Sequence, residues 1–302
     1  MSTLLLNNSD ISKDVNILSC VHEMHAGERS DSISLKVKND TIDAWRIRSG
    51  MEIEYSKNGI NTGKMHLYQV QPNAEHYAFK AYSMPISGTL KNTKSWERIH
   101  FRQLCEEIAG RNNLECELYG MPEILYAYQA QQNMEDFKFL GQLCRLERAS
   151  MSIYDNKLII AYEPYLESME PIATIDTTGC IVECEDNSIL KYDAAIVSCG
   201  QYQGTFKVQK KENRILFPQI KASCQSNIEA ARFAAGELRA TNKMLVHGSI
   251  EGTLSPYAPG IMVNIENKQM PTWSGIFFIY KVRHDYTKEK TKIFFRKTLE
   301  GY

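Results

Sequence analysis

The sequence predicts an α+β protein that is mainly β, and three observations support this fold class. Short segments of alternating hydrophobicity fill the first part of the chain, two amphipathic helical patterns occupy the middle, and β-type segments return around one alanine-rich helix. The 302 residues are enough for two or three domains that each bury a core. We expect an N-terminal β unit, an α+β insert and a C-terminal β unit at residues 1–92, 93–165 and 166–302.

The N-terminal part is predicted to form five or six short strands. Ile33, Leu35 and Val37 alternate with polar residues, which is the pattern of a half-buried strand. Asn58-Gly59 favours a tight hairpin turn because both residue types accept a positive φ. Short strands joined by tight polar turns are typical of a small barrel or sandwich.

Two helices are predicted in the middle part. The first has apolar residues at i, i+3, i+4, i+7 and i+8, which form one helix face: Phe101, Leu104, Cys105, Ile108 and Ala109. The second is expected to start at Asn133, a good N-cap residue, with Glu135 and Asp136 in its first turn. A hairpin with Asp155-Asn156 at its turn follows, so this part is predicted to be a small α+β unit.

The alanine-rich helix of the last part begins with a capping box. Ser226 is expected to cap the N–H of Glu229, while the Glu229 carboxylate reaches back to the Ser226 N–H. A narrow apolar stripe is predicted on one face, made of Ile228, Ala231, Ala235 and Leu238. The small size of Ala231 and Ala235 predicts that both lie in a close-packed contact.

β structure follows this helix to the end of the chain. Pro259-Gly260 predicts a tight turn. Residues 275–285 and 291–299 are rich in β-branched and aromatic side chains and are expected to pair as a long ribbon.

The composition argues against several function classes. Lys and Arg number 35 and Asp and Glu number 36, so the chain lacks the basic excess typical of nucleic-acid binders and of proteins that attach to membranes. No apolar run approaches the roughly 18 residues of a membrane-spanning helix. Residues 1–10 lack the basic and apolar regions of a signal peptide. We therefore expect no sequence-specific binding of nucleic acid, no membrane insertion, and assembly in a cytoplasm.

The eight cysteines predict neither a disulfide framework nor a metal centre. Without a secretory signal they are expected to be reduced. Cys105 and Cys144 fall on apolar faces of predicted helices, where a thiol packs like a small hydrophobic group. Cys180 and Cys184 form a C-x3-C pair with no second pair nearby, whereas tetrahedral zinc needs four ligands. No cofactor and no metal are expected.

Residues with catalytic potential are scattered along the chain. Among the seven histidines only His22 and His25 are closely spaced, and they fall at a strand end and a loop. Adjacent carboxylates such as Glu106-Glu107 are more typical of a solvated helix face than of a glycosidase pair. The same interpretation applies to a second acidic group: Glu183, Glu185 and Asp186. No nucleophile elbow, zinc-protease or phosphate-loop motif occurs, so no enzymatic activity is expected.

The order of the C-terminal elements resembles the phage late control gene D family. Its members are baseplate hub proteins of contractile tails, similar to the N-terminal part of VgrG spike proteins. In that family an alanine-rich helix leads to an x-P-G turn and then to a segment close to Y-x-V-x-x-V-x-H. Pro259-Gly260 matches the turn, while Tyr280, Val282 and His284 match the second motif only in part.

The likeness covers nearly the whole chain in the right order. The segment opening with Asp31-Ser32 is similar to the family's first barrel, and the middle helices with their hairpin are similar to its inserted unit. The capped helix and the two C-terminal motifs give nine positions with expected structural roles: Ser226, Glu229, Ala231, Ala235, Pro259, Gly260, Tyr280, Val282 and His284.

The resemblance implies two small tail-tube-like β-barrels, one in each β unit, and a homotrimer. Six barrels in a trimeric ring would adapt a sixfold tail tube to a threefold central spike, and edge strands would be covered on assembly. Unlike VgrG, the sequence continues into no OB-fold or β-helical spike, so the spike is expected to be a separate protein.

The resemblance also implies partners and a location. The expected partners are two further copies of the chain, the tail tube protein and the central spike protein, with tape-measure and baseplate wedge proteins as further candidates. The expected location is the baseplate of a virion or of an R-type bacteriocin particle, assembled in the bacterial cytoplasm. The sequence does not distinguish between a phage, a bacteriocin and another contractile injection system as the particle that contains the chain.

An alternative is a carbohydrate- or receptor-binding β protein of a tail. The chain has 16 tyrosines and 11 phenylalanines, and Tyr119, Tyr126 and Tyr128 would line such a binding surface. Core and interface positions favour the same residue types. A hub should form trimers or bind tube and spike proteins, whereas a receptor-binding module would keep its glycan affinity when isolated.

Overall fold

The computed structural model describes residues 2–27, 29–39, 42–208 and 214–302, and it confirms an α+β protein that is mainly β. The helices in this part of the chain are α1 (Phe101–Arg111), α2 (Asp136–Leu146), α3 (Glu163–Glu167) and α4 (Asn227–Asn242). The strands are β1 (Ser2–Leu6), β2 (Ser9–Asp10), β3 (Ile17–His25), β4 (Ser32–Lys38), β5 (Glu52–Lys57), β6 (Ile60–Asn61), β7 (Met65–Pro72), β8 (His76–Tyr82), β9 (Lys91–His100), β10 (Glu115–Tyr119), β11 (Leu125–Glu135), β12 (Ala149–Tyr154), β13 (Lys157–Tyr162), β14 (Thr174–Asp176), β15 (Ile181–Asp186), β16 (Ala194–Cys199), β17 (Tyr202–Lys207), β18 (Ile215–Leu216), β19 (Val246–Thr253), β20 (Met262–Glu266), β21 (Gly275–Asp285) and β22 (Lys290–Arg296).

Strands from both ends of the chain form a single 14-stranded sheet. Its main path runs β15-β19-β22-β21-β3-β4-β8-β7-β5-β1-β2, with β6, β14 and β20 attached beside it. The antiparallel pairing of β3 with β21, where His22 lies opposite His284, joins the N- and C-terminal parts, and we call this pairing the seam. Within the described residues neither part closes into the expected barrel: one strand of each part, β3 and β21, pairs across the seam, and the strands of both parts form one open sheet.

Three hydrophobic cores support these elements. The first lies under the N-terminal strands around Leu35, and the second lies under the C-terminal strands around Val263. The third surrounds α1 and α2 around Leu140, and it also takes in Val197 of β16 and Phe233 of α4. Part of the chain beyond the insert therefore shares the insert's core.

The insert keeps its predicted character. The five predicted face residues of α1 are all buried, and the β12–β13 hairpin turns at Asp155-Asn156, where both residues have a positive φ. The start of each helix differs from the sequence prediction. The helical pattern was expected to begin at Ser95, but residues 95–100 belong to β9, and α2 begins at Asp136 after an N-cap at Glu135. Asn133 instead has φ 45° at an irregularity in the β9–β11 pairing. The pairing continues past this irregularity, so that β11 ends at residue 135.

The predicted stripe of α4 is also wrong in part. Ile228 is 81% exposed, and Ala231 is only half-buried. The buried apolar residues of the helix lie around a different line: Ala230, Phe233, Ala234, Ala235 and Leu238. The face is displaced because α4 is enclosed from two sides, by β16 and β17 and by α2.

α4 approaches two neighbours so closely that glycine is required at both contacts. A Cβ on Gly236 would lie 2.1 Å from the carbonyl oxygen of Leu146 at the end of α2. A Cβ on Gly204 of β17 would lie 1.9 Å from the backbone nitrogen of Ala231. Backbone therefore packs directly on backbone where α4 meets α2 of the insert and where it meets β17, and no side chain fits between them.

This contact predicts opposite effects for two helical glycines. Gly236→Ala should lower the free energy of unfolding by about 1–3 kcal/mol, because overpacking outweighs the better helix propensity of alanine. Gly110→Ala in α1 is the control, since nothing lies within 4 Å of its added Cβ, and it should raise stability by about 0.5–1 kcal/mol. Urea unfolding of both variants measures the difference. Equal stability changes would show that α4 does not press on α2.

Candidate functional site

The broadest candidate site is one face of the eight strands that run from β15 through the seam to β7. Side chains alternate along these strands, so that one face covers the first two cores while most of the other is half-exposed or exposed. The second face is buried at one end, where it includes Ser249, Phe278 and Arg296. We call the second face the polar face, and its members include Glu23, Ser34, Lys36, Gln69, Gln71, Lys80, Glu183, Glu251, Lys281, Arg283 and Lys292. An antiparallel sheet of this width with one charged side is a surface made to face water.

Ion pairs between strands, either adjacent or separated by one strand, order the charges of the polar face. Lys281 and Arg283 of β21 reach Glu23 of β3 across the seam, at 3.2 and 3.7 Å. Lys292 of β22 reaches Glu183 of β15 at 2.9 Å. Such half-exposed pairs each contribute little to stability. Their effect is to give both sides of the seam a mixed charge pattern.

Both ends of this eight-strand path are open edges within the described part of the chain. β15 pairs with β19 on one side only. At the other end, β7 pairs with β5 only through Met65 and His66, so that Gln69 to Pro72 carry no partner strand on that side. Unpaired backbone groups at a sheet edge favour pairing with another chain.

The seam is closed from the core side by a buried pair of histidines. His22 and His284 lie directly opposite each other, are 0% exposed, and have ring centroids 6.1 Å apart. His284 Nδ1 is 2.9 Å from the Thr291 hydroxyl, and His22 Nδ1 is 3.4 Å from the Tyr286 hydroxyl. Burial lowers the pKa of His22 to about 3, with His284 adding to the effect, and burial lowers the pKa of His284 to about 4. Both rings are therefore neutral at pH 7.

A buried ion cluster ties α3, α4 and β22 together beside the seam. Arg239 Nε donates to Glu163 at 2.9 Å and Arg239 Nη2 contacts Glu167, while Arg296 Nη2 lies 2.6 Å from Glu167. Lys243 donates to the other oxygen of Glu163 at 3.0 Å. Both arginines are 1% exposed. Burial acts to raise the pKa of Glu163, but the three cations outweigh it and lower the pKa to about 2.

The nine residues expected to have structural roles fall into two groups. Pro259 and Gly260 lie beside β21, where the Gly260 N–H donates to the Ile279 carbonyl at 2.8 Å. The β21 residues are Tyr280 at an irregularity, buried Val282, and His284 on the seam. This first group therefore gathers around the strand that joins the two parts of the sheet.

The second group belongs to α4. Ser226 accepts the Glu229 N–H at 3.1 Å, as predicted. The Glu229 carboxylate accepts the N–H of Gln225 at 2.8 Å instead of that of Ser226, so the reciprocal half of the capping box is displaced by one residue. Ala235 is buried, and Ala231 contacts Gly204 through its backbone.

Sequence reasoning missed the ion cluster and the histidine pair. Their members lie far apart in the chain, and the only signal for them was a set of charged or polar residues within apolar segments. The tyrosines proposed for a binding surface do not form one. Tyr126 is 0% exposed, and its hydroxyl donates to buried Glu147 at 2.9 Å, while Tyr119 is 46% exposed.

Two further kinds of site are absent from the described residues. No group of three or more His, Cys, Asp or Glu side chains is placed to hold a metal ion there. No helix in that part of the chain combines the length and the apolarity that crossing a membrane requires.

Solved structures match the chain along nearly its whole length. No family model and no curated protein matches the sequence. The 43 kDa tail protein of prophage MuSo2 from Shewanella oneidensis is similar with a TM-score of 0.70 at 9% identity, over 98% of this chain and 96% of that one. A tail protein from Neisseria meningitidis is similar with a TM-score of 0.71 at 10% identity, over 98% and 96%.

The chain has the fold of phage tail proteins. A component of the E. coli type VI secretion system, itself similar to the bacteriophage T4 tail proteins gp27 and gp5, also matches, with a TM-score of 0.63 at 10% identity. That match covers 95% of this chain and 75% of the other. The resemblance drawn from the sequence to hub proteins is thus confirmed at the level of the fold.

The ion cluster predicts a large loss of stability when one cation is removed. Arg296→Met should lower the free energy of unfolding by about 3–5 kcal/mol, because it leaves buried carboxylate charge without a partner. Lys268→Met is the control, because Lys268 is 73% exposed where it pairs with Asp176, and it should cost at most about 1 kcal/mol. Denaturant unfolding at pH 7 compares them. Similar losses for both variants would contradict a stabilising cluster.

The histidine pair predicts that stability falls as the pH is lowered from about 6.5. In that range the unfolded chain takes up protons on His22 and His284, whereas the folded chain does not until the pH nears their depressed values of about 3 and 4. Each histidine therefore removes about 1.4 kcal/mol of unfolding free energy per pH unit. Between pH 6 and 4.5 the slope for His22→Asn should be shallower than wild type by about that amount. Parallel curves would refute the assignment.

Proposed function

We propose that this chain is a structural, non-enzymatic baseplate hub protein of a contractile tail or injection machine, and that three copies form a ring. The fold shared with phage tail proteins supports the tail role. The observation that supports the ring is the eight-strand path with a polar face and two open edges.

The path divides into two four-stranded units at the seam. One unit is β15-β19-β22-β21 and the other is β3-β4-β8-β7, and all neighbours along the path are antiparallel. Because an even number of antiparallel strands separates the ends, β7 of one copy runs opposite to β15 of the next. The two open edges are therefore suited to antiparallel pairing between copies.

Three copies would close into a ring of six four-stranded units. Such a ring has threefold symmetry by chain and approximate sixfold symmetry by unit, which is what a connector between a sixfold tail tube and a threefold spike requires. The polar face would line the central channel, since the opposite face covers the cores. The ion cluster meets β22 at Arg296, on the same face as Lys292, so the insert and α4 would cover one end of the channel-lining face.

The proposed ring also implies which proteins the chain contacts and in which particle it is found. The tail tube would stack on one end of the ring and the central spike on the other, with tape-measure and wedge proteins as further contacts. The particle is a virion or a bacteriocin whose baseplate contains the ring. We propose that the chain has three parts, at residues 1–92, 93–165 and 166–302, and that α4 of the third part packs on the second.

Adding charge of either sign to one edge tests the ring. β15 presents Glu183 and Glu185, which are 68% and 60% exposed, so Gln69→Glu with Gln71→Glu on β7 should place like charges across the interface. The double variant should shift the monomer–trimer equilibrium toward monomer by about tenfold or more in sedimentation velocity. Gln69→Lys with Gln71→Lys should preserve or strengthen the trimer.

Gln132→Glu on β11 is the matched control for added charge, and it should leave the trimer unchanged. The sign of the effect is decisive: equal behaviour of the Glu and Lys pairs, or a wild-type chain that stays monomeric at tens of micromolar, would reject pairing through these edges.

A further inference from the structure

A cavity of about 400 Å³ opens where the three parts of the chain meet. One wall is the turn after β5 with Gly59 to Asn61, another is the insert sheet around Tyr154, and a third is the loop from Pro256 to Gly260. The predicted Pro259-Gly260 turn thus forms part of a cavity wall. Its size lies within the range of ligand-binding pockets.

One acidic side chain lies in the wall of this cavity. Asp31 is 5% exposed, and its Oδ1 accepts the backbone N–H of His25 at 2.8 Å. Its other oxygen accepts no hydrogen bond from the described residues, and no lysine or arginine among them lines the cavity. A buried carboxyl group with no cation beside it is costly to ionise. Accordingly, burial raises the pKa of Asp31 to about 7, although the His25 N–H acts to lower it.

Aromatic rings and further negative charge surround this carboxyl group. Tyr119, Tyr154 and Tyr257 all line the cavity, and the faces of such rings attract cations. The pKa of Tyr154 is raised by burial and then by the charges of three nearby carboxylates: Asp155, Glu54 and Asp31. These carboxylates lower the electrostatic potential at Tyr154, in one wall of the cavity.

Apolar side chains complete the lining and indicate what the rest of the ligand is like. Met24, Ile60, Ile159 and Leu166 contribute to the walls. Methylene groups pack well on such surfaces while a charged end group reaches a polar partner, as lysine and arginine side chains do.

We propose that this cavity binds an aliphatic chain ending in an ammonium or guanidinium group, with the cation paired to Asp31 and flanked by the tyrosine rings. The chemistry is that of a free alkyl amine or of a lysine or arginine side chain from a partner protein. The site belongs to a single chain, so it does not depend on ring formation.

Binding of a cation should be linked to proton release from Asp31. The other titratable groups that line the cavity are His25, Tyr119, Tyr154 and Tyr257, and none of them is a permanent cation. A bound cation favours the ionised carboxylate. Below pH 7 each binding event should therefore release up to one proton, and the affinity should rise about tenfold between pH 6 and pH 8.

Calorimetric titration of the full chain tests the site with defined probes. These are n-butylammonium, Nα-acetyl-lysine methylamide and Nα-acetyl-arginine methylamide, each with its side-chain cation free. Nα-acetyl-norleucine methylamide is the uncharged control. At least one cation should bind, and Asp31→Asn should weaken it about tenfold or more while keeping an acceptor for the His25 N–H. Asp10→Asn is the matched control, because exposed Asp10 accepts the Ser12 N–H at 2.9 Å in the same way, and it should have no effect.

The arms of the titration separate the two sources of the cation. Tighter binding of the blocked amino acids than of butylammonium supports a partner side chain, and the reverse order supports a free amine. Proton release by the wild type, measured in buffers of different ionisation enthalpy at pH 6.5, needs no variant and covers the case that Asp31→Asn does not fold. No binding at tens of millimolar, equal binding of norleucine, or no proton release would overturn the proposal.

Discussion

The antiparallel pairing of β3 with β21 is the constraint on which the rest of the structure depends. It makes one sheet from strands that lie at opposite ends of the chain, with Val21 opposite Asp285 and His25 opposite Lys281. Without it the N- and C-terminal parts would each keep an open edge at this position. With it, two cores lie on one side of eight strands, while most charged side chains of these strands lie on the other side, which the ion cluster covers at Arg296. The residues that close the seam from the core side are two buried histidines, His22 and His284. Both are neutral at pH 7, and protonating them would place charge in the core.

Elements outside the sheet hold this arrangement from the side. α4 contacts the insert through backbone at Gly236, and the ion cluster joins α3, α4 and β22 through Glu163 and Arg239. Replacing a whole buried ion pair by apolar residues is often neutral, whereas removing one partner leaves an uncompensated charge. The cluster therefore acts as a positional link between the insert and the C-terminal strands, while the hydrophobic cores supply most of the folding energy.

Local pattern predicted most elements but not how they meet. The α1 face from Phe101 to Ala109 and the alternating β4 strand follow from periodicity, and the C-terminal ribbon follows from its content of β-branched and aromatic residues. The start of α2 was not predicted correctly, because Asn133 belongs to the irregular end of β11. The buried face of α4 was not predicted correctly, because α4 is enclosed on two sides. The seam, the ion cluster and the Asp31 cavity are made by residues distant in sequence, whose meeting depends on the tertiary fold.

The polar face is bounded by two strand edges, on β15 and β7, whose backbone groups would find partners on assembly of several copies. A channel-lining role explains why charged side chains cover one side of the sheet while the other side carries the cores. Electron cryo-microscopy of the assembled particle tests this most directly. The ring we propose predicts three copies of this chain at the junction of tube and spike, in a closed wall of twenty-four strands, with β7 against β15 of the next copy. A map that places the chain elsewhere, or with its polar face turned away from the channel, would contradict it.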